Sequence, residues 1–181
     1  ELMQTAVPQG VGAMAAILGL DDEQVRQICA AAEQGDVCEA VNFNSVGQVV
    51  IAGNAAAVER AMAAAKEAGA KRALPLPVSV PSHCRLMKPA AEKLAVALQD
   101  VALRQPEIRV IHNADVAAYN DVAQIKDALV RQLYSPVRWT ETVGLLVSDG
   151  LTESAECGPG KVLAGLAKRI SKEAVCTALT G

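Results

Sequence analysis

Aromatic side chains are nearly missing from this sequence: Phe43, Tyr119, Tyr134 and Trp139 are the four among 181 residues. Without stacking platforms, single-stranded nucleic acid has nothing to lie on. Positive charge is not in excess either, with 17 Lys and Arg against 20 Asp and Glu and a formal net charge of -3. A nucleic-acid partner is therefore not expected. No apolar run approaches the ~18 residues of a membrane span, so no membrane partner is expected. No C-x-x-C occurs, and the five cysteines at 29, 38, 84, 157 and 176 are odd in number and scattered. That argues against a disulfide framework and a zinc site, and points to a reducing cytoplasm. The two histidines, His83 and His112, have no carboxylate support at ligand spacing, so no metal is expected. No G-x-S-x-G is present, and with it goes the nucleophile elbow.

Apolar material is abundant. Hydrophobic residues make up 51 %, which rules out a disordered chain and suits one domain of ordinary size or slightly more. Residues 12–18 read as a short buried strand. Asp21 caps the next helix, with Gln24 completing a capping box. Val25, Ile28, Cys29 and Ala32 recur at helical spacing, and Gly35 ends that helix. Residues 37–43 and 48–53 read as a hairpin turning through Asn44–Gly47. Asn54 is placed to cap a second helix that Gly69 closes, and 71–75 is a fourth strand. The order over 12–75 is βαββαβ, the split βαβ or ferredoxin-like plan.

The rest has another rhythm. Prolines forbid helix over 75–81. A long helix is expected over about 85–103, with Leu86, Leu94, Leu98 and Val101 inward. A short strand follows at 109–112 and a helix at 121–133. Ser135-Pro136 reads as a cap with proline at the first helical position, opening a helix to about Val147. Residues 152–157 and 174–179 read as strands flanking a helix that bears Val162, Leu163, Leu166 and Ile170. Strands alternating with helices imply a parallel sheet, but two or three strands are too few to build one.

Chemistry could reside in few places. His83 sits in Val80-Pro81-Ser82-His83-Cys84, a proline-stiffened loop running into a helix. Such a loop presents a general base well, yet position alone favours a histidine near a helix start filling a surface groove. Cys84 follows it directly and so points elsewhere. His112, inside an apolar strand, reads as structural. Asn42 and Asn44 flank Phe43, and strand alternation puts both amides on one face. They could hydrogen-bond an acyl or pantetheine-like group, or serve the turn. Gly158-Pro159-Gly160-Lys161 hints at a phosphate loop but lacks the Walker spacing and the Ser/Thr after lysine.

Several stretches closely resemble one family, the malonyl-CoA:acyl-carrier-protein transacylases of bacterial fatty-acid synthesis. They are Gly12–Ile17, Val41–Ser45, Gly47–Gly53, Leu74–Cys84, Asp127–Tyr134 and Gly158–Leu163, in family order almost end to end. Val46 stands where the family usually has proline. The resemblance implies a ferredoxin-like βαββαβ small subdomain, 12–75, inserted in a partial α/β-hydrolase-like parallel-sheet domain, 1–11 and 76–181. It implies malonyl transfer from coenzyme A to an acyl carrier protein by a Ser-His acyl-enzyme mechanism. His83 would be the catalytic base, the backbone carbonyl of Gln132 would fix its tautomer, and Asn42 and Asn44 would border the substrate groove. No cofactor is implied, since coenzyme A enters as the substrate's thioester.

The family's G-H-S-x-G serine and its malonate-binding arginine match nothing in these 181 residues. The chain resembles the C-terminal three-fifths of such an enzyme, and alone it is expected to transfer no malonyl group. Segments 1–11 and 76–181 are expected to pack poorly alone, with the strands at 109–112 and 152–157 short of sheet neighbours. The competing reading is a non-catalytic ferredoxin-like binding module that kept the family's C-terminal sequence. Lys66, Lys71, Arg72, Arg85 and Lys88 are candidate cations for docking an acidic carrier protein.

Overall fold

The structure is a computed structural model that describes residues 1–78 and 80–179. Ser79 in the proline-rich stretch, and Thr180 and Gly181 at the end of the 76–181 segment, lie outside the described residues. The chain has an α/β fold. Its first part runs β1 (Gly12–Leu18), α1 (Asp22–Ala32), β2 (Cys38–Ser45), β3 (Gln48–Asn54), α2 (Ala55–Glu67) and β4 (Arg72–Pro75). These strands form one four-stranded sheet in the order β2-β3-β1-β4, and every neighbouring pair is antiparallel.

Local chemistry explains these elements. The Asp21 side chain accepts from the Gln24 N–H at 2.7 Å, and the Gln24 side chain accepts from the Asp21 N–H at 3.1 Å. That reciprocal pair satisfies two orphan donors at the start of α1, and Asp22 and Glu23 complement its positive end. α2 turns Ala57, Val58, Ala61 and Ala65 inward. Such small side chains let the helix lie close to the sheet. One core holds Ile17, Ile51, Val49 and Phe43 beneath α1 and α2. A second, on the other face of the sheet, holds Met14, Val41, Val50, Ala52 and Cys84. With both faces covered, β1 and β3 carry almost no polar residue. Glycine is required at 53, where a Cβ would fall 1.9 Å from the Val37 carbonyl oxygen.

Asn54 corrects one expectation. It stands at the N-cap of α2, but its side chain makes no capping bond. Its Oδ1 accepts instead from the Val37 N–H at 2.7 Å. The unpaired amide at the entrance of β2 competes for that oxygen and takes it.

Beyond β4, a single 3₁₀ turn at Arg85–Met87 leads into α3 (Lys88–Gln99). This helix stops four residues short of the expected 103. Ala90 and Ala91 are its buried residues, Leu94 and Leu98 are half-buried, and Val101 is exposed. Next come β5 (Ile111–His112), β6 (Ala117–Ala118) and α4 (Val122–Gln132). β5 and β6 form a small antiparallel hairpin, so β5 finds its partner within its own segment.

Residues 136–138 are a further correction. They do not open a helix; α5 starts only at Trp139 and runs to Ser148. Val137 lies alongside β2 in a parallel bridge with Asn42. Its N–H donates to the Val41 carbonyl at 2.8 Å, and its carbonyl accepts from the Phe43 N–H at 2.9 Å. The free edge of β2 offers those groups, and satisfying them outweighs the helical preference after Pro136. The chain closes with β7 (Glu153–Cys157), α6 (Val162–Ile170) and β8 (Val175–Leu179), a parallel pair joined by a crossover helix. Among the described residues no helix is long and apolar enough to cross a membrane.

Candidate active site

His83 is held from three directions. Pro81 is buried and seats its ring against Gly12 of β1, where a Cβ would come within 2.5 Å of the ring. Cys84 sinks its side chain into the second core, and its thiol donates to the Pro81 carbonyl at 3.1 Å. Between these anchors His83 adopts φ +67°, a left-handed conformation that costs a non-glycine residue about 1–3 kcal/mol and persists where the surroundings enforce it. The enforcing partners come from the end of α4. The His83 N–H donates to the Leu133 carbonyl at 3.0 Å. Ring Nδ1 lies 2.9 Å from the Gln132 carbonyl oxygen.

That second contact assigns the tautomer. A carbonyl oxygen only accepts, so Nδ1 carries the proton and Nε2 keeps its lone pair. The Gln132 side-chain amide sits farther away, 3.4 Å from the same nitrogen. Burial pushes the imidazole pKa below its ordinary value, and the Gln132 carbonyl opposes this less strongly. The neutral ring at physiological pH therefore offers one basic nitrogen.

Asn42 and Asn44 lie on β2, half-buried. Asn42 stands opposite Val50 and so faces the second core, the side on which Cys84 sits. A register shift between Phe43 and Ser45 puts Asn44 at an irregularity in the strand. Simple alternation does not describe this stretch. Residues 132–138 connect the two places: their first carbonyls hold His83, and Val137 pairs with the β2 edge at Asn42. Thr140 adds a hydroxyl bond to the Phe43 carbonyl at 3.0 Å.

The remaining candidates separate cleanly. Burial pushes the Cys84 thiol up to about 12, which leaves it inert at neutral pH. His112 packs beside Tyr119 with ring centroids 5.5 Å apart. The start of α6, after Gly158-Pro159-Gly160, is occupied by a carboxylate. Glu156 accepts from the Leu163 N–H at 3.1 Å and from the Ala164 N–H at 2.9 Å. A phosphate would need those same donors. Among the described residues, no group of three or more His, Cys, Asp or Glu could hold a metal ion.

Arg85 is not a free docking cation. Its guanidinium donates to Glu39 and to Glu33, each at 2.7 Å, and its N–H donates to Glu39 at 3.1 Å. Lys66, Lys71, Arg72 and Lys88 are exposed. Spacing analysis missed the Glu33–Arg85–Glu39 cluster and the Glu156 cap, because each joins residues from separate elements.

The family described as acyl transferase domain matches residues 1–174. Among the relatives, the malonyl CoA-acyl carrier protein transacylase of Haemophilus influenzae is 64% identical over 170 residues, covering 94% of this chain and 54% of that protein. The solved acyl carrier protein S-malonyltransferase of Vibrio cholerae superposes with a TM-score of 0.97 at 60% identity, covering 99% of this chain and 58% of its own. A malonyl-transacylase solved in complex with its type II PKS acyl-carrier protein has a TM-score of 0.97 at 55% identity, covering 98% of this chain and 58% of its own. The chain thus spans a little over half the length of the relatives it matches.

Proposed function

The chain belongs to the acyl transferase family, and from that premise we propose that it carries the base-bearing part of a malonyl-CoA:acyl-carrier-protein transacylase of bacterial fatty-acid synthesis. The observation that carries this reading is the Nδ1 contact between His83 and the Gln132 carbonyl, which leaves Nε2 unprotonated. A nucleophilic serine needs such a nitrogen within hydrogen-bond reach. His83 Nε2 takes the serine proton as the hydroxyl attacks the malonyl thioester, and the coenzyme A thiol departs with a proton returned by the same imidazole. In the second half, His83 deprotonates the carrier protein's pantetheine thiol, whose sulfur takes the malonyl group, and the same imidazole returns the proton to the departing serine oxygen. Burial suits the role, since a base with a lowered pKa is unprotonated at neutral pH. Asn42 and Asn44 border the groove for the acyl-pantetheine chain. No metal or redox cofactor takes part, and the setting is cytoplasmic.

The same reading organises the fold. Residues 12–75 form the ferredoxin-like subdomain, and 1–11 with 76–181 form part of an α/β-hydrolase-like domain. The strand order β2-β3-β1-β4 supports the first assignment, and the parallel β7–α6–β8 unit supports the second. The 181 residues contain no G-x-S-x-G, so alone they transfer no malonyl group.

The test measures malonyl transfer from malonyl-CoA to holo-acyl carrier protein. A longer polypeptide joining this sequence to a G-H-S-x-G segment is expected to be active, and His83→Ala is expected to lower its kcat/KM by at least ~10²-fold. Turnover by the 181 residues alone, abolished by His83→Ala, would refute the placement of the nucleophile. A longer polypeptide in which His83→Ala keeps full activity would refute the role of His83.

A further inference from the structure

Both carbonyls that hold His83 sit at the C-terminal end of α4, at Gln132 and at the capping residue Leu133. Carbonyls in that position have no partner inside their own helix, and helix ends fray readily. A frayed end would release the ring and the strained backbone of His83 together. Something must hold the last turn still, and one pin sits directly beside those carbonyls.

The pin is Arg131, the residue before Gln132. Its guanidinium meets the carboxylate of Asp115 through both oxygens: Nη1 donates to Oδ1, and Nη2 donates to Oδ2 at 2.7 Å. The Tyr119 hydroxyl donates to the same Oδ2 at 2.9 Å. Asp115 lies in the connection between β5 and β6, next to Val116 at φ +57°. That connection is itself tied down. Arg138 Nη1 donates to the Ala114 and Asp115 carbonyls at 3.5 and 3.4 Å, and the Arg138 N–H donates to the Asn113 carbonyl at 3.1 Å. Asp115 is the less exposed partner, with its side chain 16% accessible. Arg131 Nε also donates to Asp127 at 2.6 Å, but Asp127 is on α4 itself and 63% accessible. Of the two carboxylates that Arg131 meets, Asp115 is the one on another element. A planar, two-bonded Arg–carboxylate pair fixes orientation as well as distance.

We propose that Asp115 is a positioning residue for His83, acting through Arg131 to hold the α4 carbonyls in place. This rests on the reading of His83 as the base, but its test does not require turnover. The readout is the tautomer of His83 in the 181-residue chain, taken from the 15N shifts of histidine-labelled protein. His83→Gln identifies the resonance.

The wild-type chain is expected to show the Nδ1–H form. Asp115→Ala should lose that signature toward the Nε2–H mixture of free imidazole. Arg131→Lys, which cannot make the two-bonded pair, should lose part of it. Asp127→Asn should keep it in full. If Asp115→Ala fails to fold, the isosteric Asp115→Asn gives the same reading with a smaller loss. Melting curves confirm that each variant compared is folded. Three results overturn the proposal: a folded Asp115 variant with the wild-type Nδ1–H signature, an equal loss in Asp127→Asn, or a wild-type His83 that already shows the free mixture. Loss of the Nδ1–H signature in Asp115→Ala, beside a longer polypeptide in which His83→Ala keeps full activity, would uphold the positioning and refute the catalytic reading.

Discussion

Residues 12–75 and residues 88–179 solve the burial problem differently. In the first, four strands and two helices enclose Ile17, Ile51, Val49, Val58 and Phe43 almost completely. In the second, strands come in pairs and apolar side chains face outward. Ile108 is 80% exposed, Val162 69% and Val175 62%. The first region pairs its strands along β1 and β3 on both sides. In the second, each short strand has one partner among the described residues. A region with a dense core resists opening, whereas one with few buried contacts opens locally at low cost. His83 lies where the two meet: its loop is anchored on the sheet, and its hydrogen bonds go to α4.

The sharpest way to break the contrast is to truncate one apolar side chain on each side. Ile51→Ala should destabilise by about 2–5 kcal/mol in denaturant unfolding. Val162→Ala, at an exposed position, should stay within about 0.5 kcal/mol. Equal losses would erase the distinction between the regions. Next in size is Gly53→Ala. It drives a methyl into the Val37 carbonyl and should cost at least about 1–3 kcal/mol. A neutral result would mean that β2 can shift without loss.

Much of the first region was legible because its signals are local. The Asp21–Gln24 box, the glycine that closes α2 and the tight turn at Gly47 each lie within a few residues of what they specify. The failures came where a distant backbone group competed. Asn54 serves Val37, seventeen residues away, rather than its own helix. Val137 serves the edge of β2 rather than a helix after Pro136. At the site, the resemblance named His83, Gln132, Asn42 and Asn44, while spacing alone left His83 open. Neither revealed the positive φ of His83, the Glu39–Arg85 contact or the Asp115–Arg131 bridge. The first and the last depend on how α4 and the β5–β6 connection meet the loop, and the second on how β2 meets the turn at Arg85.

Two smaller effects sharpen the boundary between the regions. Glu39→Ala removes the acceptor for both the N–H and the guanidinium of Arg85, on the chain just after His83. It should cost about 1 kcal/mol, since the cluster is partly exposed. Arg85→Ala keeps the N–H bond and should cost less; the reverse order, measured by thermal unfolding, would contradict this.

The smallest effect is a pH slope. The folded-state pKa of His83 is lowered, so below about 6.5 the unfolded chain binds a proton that the folded chain does not. Stability is then greatest above that value and falls as pH drops toward the lowered folded pKa. His83→Gln should flatten that part of the stability profile, and an unchanged slope would mean the ring is not desolvated.

The most direct test of the two-region account is native-state hydrogen exchange read residue by residue. The account predicts the slowest amides in β1, β3 and α2, exchanging only through global unfolding, with those of α3, α5 and β5–β8 released by smaller openings. Equal protection across 12–75 and 88–179 would contradict it.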